Sequence, residues 1–256
     1  MRLGLEGRRG LVTGGSKGLG EAIARELVAE GARVAICARN EQEVTATGKE
    51  IGAAYAQAAD VTDPAQVDDF IARSAEALGG IDFLVNNAGG AHPGTFETLT
   101  DQDWHGDLDV KLFSLIRCSR AVLPHMRAAG GGRIVNIGAV YSRYPDPTFF
   151  ATSVNRAAGN SFTKTLALEL AKDNILVNGV NIGFVTTPQW ENIHRRRAPE
   201  VTAEEFFGHL ARQEVPLGRF GEPDEVSGVV AFLLSERASY ITGASIDVAG
   251  GMGKYV

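Results

Sequence analysis

Short continuous apolar runs, separated by helix-length stretches, narrow the fold of this chain more than any single motif. Gly10-Leu11-Val12-Thr13, Val34-Ala35-Ile36-Cys37-Ala38, Ile81 to Val85, Arg133 to Ile137 and Ile175 to Val180 read as buried strands. A third strand ends near Ala58, and a last short one is Ile246-Asp247-Val248. Strands without polar alternation belong to a mostly parallel sheet covered on both faces. Between them, Ile23, Leu27 and Val28 mark a helix stopped by Gly31, and Asp63-Pro64 opens another with Val67, Phe70, Ile71 and Ala75 on one face. Further helices are expected over 102–128, 151–172 and 223–235, the first of them kinked at Pro124. Residues 184–215 are polar and irregular by comparison and read as a lid or insertion. No break in composition and no repeat divides the chain. The expected fold is α/β, a single Rossmann-like domain over 1–256, with a mostly parallel seven-stranded sheet and helices on both faces.

With 44% apolar and 22% charged residues, the 256-residue chain has material for a sizeable core. Twenty-five basic residues against 31 acidic ones give a net charge of −6, which speaks against a nucleic-acid partner. The one basic run, Arg195-Arg196-Arg197, is either a solvated helix end or a contact for an anionic substrate. Cys37 and Cys118 have no metal-ligand spacing and no disulfide framework, so both are expected as buried thiols. Glu6, Arg8 and Arg9 interrupt the start, and no apolar run reaches the roughly 18 residues of a membrane span. A soluble cytoplasmic protein is expected, with no membrane partner and no metal.

Thr13-Gly14-Gly15-Ser16-Lys17-Gly18-Leu19-Gly20 lies where the first strand hands over to the first helix. Glycines there let the backbone approach a pyrophosphate, and the helix start offers free N–H groups and a partial positive charge. The spacing Gly14-x3-Gly18-x-Gly20 is looser than G-x-G-x-x-G, yet its strand–helix setting makes Gly14, Ser16, Lys17, Gly18, Leu19 and Gly20 nucleotide-binding candidates. The second strand ends in Ala38-Arg39, where an NAD site would place a carboxylate for the ribose hydroxyls. Arg39 offers a planar donor fork to a 2′-phosphate, and Lys17 could approach it from the loop. NADP(H) is the expected cofactor.

With Asn86-Asn87-Ala88-Gly89 after the fourth strand, these features resemble the short-chain dehydrogenase/reductase family over essentially the whole chain. The likeness is to its ketoacyl-carrier-protein reductase and glucose dehydrogenase branch. The ending Tyr240-Ile241-Thr242-Gly243-Ala244, followed by Asp247-Val248-Ala249-Gly250-Gly251, carries the same resemblance. It implies an adenine contact at Asp60-Val61 and cofactor contacts at Asn87, Ala88 and Gly89. Gly183 and Thr187 follow the sixth strand, where Ile182-Gly183 replaces the family's Pro-Gly. It further implies a small-molecule substrate and a homotetramer or homodimer packed through two long helices and the C-terminal strand.

The family's catalytic Asn, Ser, Tyr and Lys are all replaced. Asn136-Ile137-Gly138-Ala139 puts Ala139 in the serine position, and alignment on Ala157 to Lys164 puts Thr152 and Arg156 in the tyrosine and lysine positions. Trp104 leads, at the family's spacing, to Lys111 in place of the Asn. Carbonyl reduction needs a proton on oxygen as well as hydride on carbon, and threonine is a far weaker acid than tyrosine. Thr152 and Arg156, four residues apart, share a helix face, and Arg156 is expected at the nicotinamide ribose. The catalytic candidates are Lys111, Thr152, Arg156 and Tyr144, with Tyr141 and His92 as further proton donors; for Lys111 the plain alternative is an ion pair with Asp107 or Asp109. Trp190, Phe206 and Phe207 are expected to close the ligand space over Ala139, Thr152 and 184–215. An NADP(H)-dependent oxidoreductase for a carbonyl or alcohol fits best. The other readings are a non-redox enzyme on this scaffold and a silent nucleotide-binding subunit, the latter in a hetero-oligomer with an intact relative.

Overall fold

The structure, a computed structural model, describes residues 3–253. Among them, β1 (Arg9–Thr13), β2 (Arg33–Ala38), β3 (Tyr55–Ala58), β4 (Phe83–Asn86), β5 (Gly132–Ala139), β6 (Ile175–Ile182) and β7 (Ser245–Val248) form one sheet. Its order is β3-β2-β1-β4-β5-β6-β7, and every pairing is parallel. The helices are α1 (Gly18–Ala29), α2 (Glu41–Ile51), α3 (Pro64–Leu78), α4 (Asp101–Leu108), α5 (Ser114–Ala128), α6 (Phe150–Leu170), α7 (Pro188–Arg197), α8 (Ala203–Glu214) and α9 (Pro223–Leu234). This is a Rossmann fold in a single α/β domain.

Neighbouring residues of β1 explain why its strand pattern has no polar side. Leu11 is buried with Phe70 of α3 and Val122 of α5, and Val12 with Ile23 of α1 and Val230 of α9. The sheet is thus dry on both faces. The chain leaves β1 for β2 on one side and returns to β4 on the other, so a crevice opens where the strand order reverses. No helix among the described residues is long and apolar enough to cross a membrane.

Two expectations change. Residues 184–215 are not irregular: they hold α7 and α8, the latter opened by a Thr202–Glu205 capping box. Their apolar face is narrow, with Trp190, Ile193 and Ala211 the buried positions, which leaves the sequence looking polar. The stretch from 101 to 128 departs from regular α-helix at a π turn, Asp109–Phe113, and α5 continues through Pro124. That wider turn carries Lys111 inward, to 2% exposure.

Candidate active site

The glycine loop and the Asn86–Gly89 segment meet at the crevice. Gly14 has φ +67°, and a Cβ there would lie 2.9 Å from the Ala88 Cα. A Cβ on Gly20 would overlap the Gly14 carbonyl and the Asn87 amide. Asn87 ties the two segments together, donating from Nδ2 to the Thr13 carbonyl at 2.9 Å, while Thr13 Oγ1 accepts from the Asn87 and Ala88 N–H groups at 3.0 Å each. Ser16 is buried, and its carbonyl accepts from Thr47 Oγ1 at 2.8 Å. Leu19 is buried at the start of α1. Thr187 lies against Gly18, so the segment after β6 closes onto the loop. Gly183 leaves no room for a Cβ beside Ala249.

Arg39 stands exposed beyond β2 and, among the described residues, makes no hydrogen bond or ion pair. Lys17 instead pairs with Glu43 at 3.0 Å across the loop. Asp60 is held by Thr62, whose N–H and hydroxyl donate to Oδ1 at 2.9 and 2.8 Å, and Val61 beside it is buried. The described residues thus keep a narrow, backbone-lined cradle with an uncommitted guanidinium at one end. That arrangement fits a dinucleotide bearing a 2′-phosphate.

The second cluster is buried and polar. Lys111, from the π turn, donates to Asp107 one turn earlier and to Thr152 Oγ1 of α6 at 2.8 Å. Asp107 also accepts from Asn155 Nδ2 at 2.8 Å. Asp107, Lys111, Thr152 and Asn155 are all under 7% exposed. Burial, with the nearby Arg156 guanidinium, lowers the Lys111 ammonium from 10.5 to about 8, and Asp107 opposes that fall. Arg156 donates to the Ile137 carbonyl at 2.6 Å, and its guanidinium packs on Gly89. Burial lowers its pKa to about 10. The cluster therefore holds an acid of near-neutral strength bonded to a hydroxyl.

Three of the four expected catalytic side chains, Lys111, Thr152 and Arg156, come together. Tyr144 is half-buried after β5, with no side-chain hydrogen bond among the described residues. Tyr141 is buried and stacked on Phe149 at 5.2 Å, and burial pushes its phenol up, which makes it a poorer acid. His92 lies 3.3 Å from Asp103 in the first turn of α4. Asp109 pairs with Arg117, so the lysine's partner is Asp107. Trp190 packs edge-on to Phe184 and Phe220, while Phe206 and Phe207 lie about His194. Cys37 and Cys118 are buried free thiols.

Sequence reasoning missed the role of Asp107 in bonding two partners, and missed Asn155 altogether. The four-residue spacing from Asp107 to Lys111 was the available signal for the first. Asn155 lies 48 residues from Asp107, and no local pattern links them.

The family described as enoyl-(acyl carrier protein) reductase matches residues 14–253. The chain is 37% identical over 246 residues to the short-chain reductase protein NovJ of Streptomyces niveus, covering 94% of this chain and 92% of that one. Among solved structures, L-sorbose reductase of Gluconobacter frateurii, complexed with NADPH and L-sorbose, aligns at TM-score 0.95 and 32% identity over the full length of both chains. An NADPH-bound short-chain oxidoreductase of Pseudomonas aeruginosa PAO1, described as containing an atypical catalytic center, aligns at TM-score 0.90 and 35% identity, covering 97% of this chain and 98% of that one.

Proposed function

The chain belongs to the short-chain dehydrogenase/reductase family, and we propose that it acts there as an NADP(H)-dependent oxidoreductase on a carbonyl or alcohol, with Lys111 and Thr152 handling the proton. The observation that carries this reading is the 2.8 Å hydrogen bond from the Lys111 ammonium to the Thr152 hydroxyl. The NADPH of the two structural relatives and the uncommitted Arg39 support the cofactor.

NADPH, when bound, supplies a hydride for the carbonyl carbon. Gly14, Ser16, Gly18, Leu19 and Gly20 would hold its pyrophosphate, Arg39 with Lys17 beside it would take the 2′-phosphate, and Asp60 and Val61 would border the adenine. Asn87, Ala88 and Gly89 would hold the middle of the nucleotide, and Gly183 and Thr187 the nicotinamide end. Arg156, which stays charged, offers its guanidinium to ribose hydroxyls and does not move protons. Thr152 gives its hydroxyl proton to the substrate oxygen, and Lys111 replaces that proton from its ammonium. Asp107 keeps Lys111 cationic, and Asn155 fixes Asp107. Tyr144 borders the substrate without serving as the donor. Residues 184–215 form the lid.

Exposed Phe113 (43%) and Leu168 (71%) lie in or beside the two long helices, which supports a homodimer or homotetramer packed through α5, α6 and β7. The protein works in the cytoplasm on a small molecule.

Calorimetry should show NADPH binding tighter than NADH. Arg39→Ala should close that gap by about 1.5 to 3 kcal/mol, the scale of a hydrogen bond to a charged group. Equal affinities in the parent protein would remove the basis for NADP(H).

A further inference from the structure

Arg197, at the last position of lid helix α7, is set against the start of the active-site helix. Its guanidinium carbon lies 5.7 Å from the centroid of the Phe149 ring. Phe149 directly precedes α6, one turn before Thr152, and stacks on Tyr141, which follows the end of β5. These rings connect the rim at Arg197 to the walls of the site at Ala139 and Thr152.

The cationic end of α7 explains itself only in part. A helix C-terminus favours basic residues in its last turn, and His194, Arg195, Arg196 and Arg197 all lie there. Arg195 spends its donors on Asn192. Arg197 spends none: among the described residues it has no hydrogen bond and no ion pair. Arg9, Arg25, Arg73, Arg117, Arg127 and Arg219 are committed to carboxylates, whereas Arg197, like Arg39, is not. Carboxylates are also close by. Asp146 and Glu214 act electrostatically on the Tyr141 phenol, as Arg197 does, but neither makes an ion pair with Arg197, and Asp146 accepts from Thr148. A guanidinium lying over an aromatic face is held in orientation while its in-plane N–H groups stay free, the geometry that takes a carboxylate or phosphate through two donors.

Deeper in the site the charge has the same sign. Lys111 and Arg156 are two cations near one buried carboxylate, Asp107. At the inner end of the site an anion therefore meets two cations against one carboxylate.

We infer that the substrate carries an anionic group, a carboxylate or a phosphate ester, and that Arg197 binds it at the lid rim while the carbonyl lies at Thr152. This rests on the oxidoreductase reading. Arg197 is then a specificity residue, outside the proton relay and the nucleotide cradle.

The test is calorimetric titration of the NADP⁺-saturated protein with matched probes, which needs no turnover. 4-Oxopentanoate and 5-oxohexanoate are each compared with their methyl esters, and dihydroxyacetone phosphate with dihydroxyacetone. At least one anionic probe should bind tenfold or more tighter than its neutral partner; the oxo-acid and phosphate arms tell the two sources apart. Arg197→Gln should bring that ratio below about threefold, and Arg197→Lys should restore part of it. NADP⁺ affinity should not move in either variant. A charge preference untouched by Arg197→Gln would overturn the assignment. So would the failure of every anionic probe to bind at millimolar concentration while NADP⁺ still binds, and that outcome would leave the cofactor reading standing. Loss of NADP⁺ binding by the parent protein would overturn both.

Discussion

In the proposed relay Thr152 stands in for a tyrosine with a weakly acidic hydroxyl, and the Lys111 ammonium 2.8 Å away is what would make that hydroxyl usable. Thr152→Val keeps the shape and removes the relay. Its reduction rate under saturating NADPH should fall by about 10² to 10⁴, the usual worth of positioned proton transfer, with NADPH affinity unchanged by calorimetry. A loss under tenfold would mean that Thr152 only packs. At this scale the sequence was informative wherever a position could be counted from a motif. Trp104 leads to Lys111, and the Ala157 to Lys164 stretch leads back to Thr152 and Arg156. It was silent on Asn155, whose partner comes from another element, and it offered Tyr141 without revealing that burial and stacking on Phe149 weaken it as an acid.

The elements that place these residues were legible in unequal measure. Continuous apolar strands announced the sheet, because a strand buried on both faces has no polar alternation to confuse with anything else. The π turn at Asp109–Phe113 has no pattern of its own, and Pro124 lies inside α5, beyond that turn. Helices α7 and α8 have a weak sequence pattern because few of their side chains are buried. The π turn has an energetic consequence, since it buries Lys111 against Asp107. Lys111→Met should cost about 3 to 5 kcal/mol in urea unfolding, because Asp107 is left buried and unpaired. Adding Asp107→Leu should recover most of that loss, and full stability in the single variant would show that the pair is not held away from water.

Across the whole molecule, the proposed nucleotide half of the site and the proposed chemical half are built differently. Gly14, Gly18, Gly20 and the Asn86–Gly89 segment keep a cradle fixed by backbone geometry, where few substitutions are sterically open. The proton-handling half depends on side chains, so one acid can replace another while the fold stays the same. That division is why the sequence points to one fold and one cofactor but to several candidate donors, among them Lys111, Thr152 and Tyr144. It also gives the pH dependence its sign. In the proposed relay Lys111 has to be protonated to reload Thr152, so reduction should proceed at low and neutral pH and decline as pH rises through about 8. The most direct measurement is the single-turnover rate of carbonyl reduction at saturating NADPH from pH 6.5 to 10, a range of about two units on the alkaline side of the lysine's pKa, in the parent protein and in Lys111→Gln. The expected result is a tenfold fall per pH unit above about 8 in the parent, and a slow, pH-independent rate in Lys111→Gln. A flat profile in the parent, or the same alkaline fall in Lys111→Gln, would contradict proton delivery by Lys111.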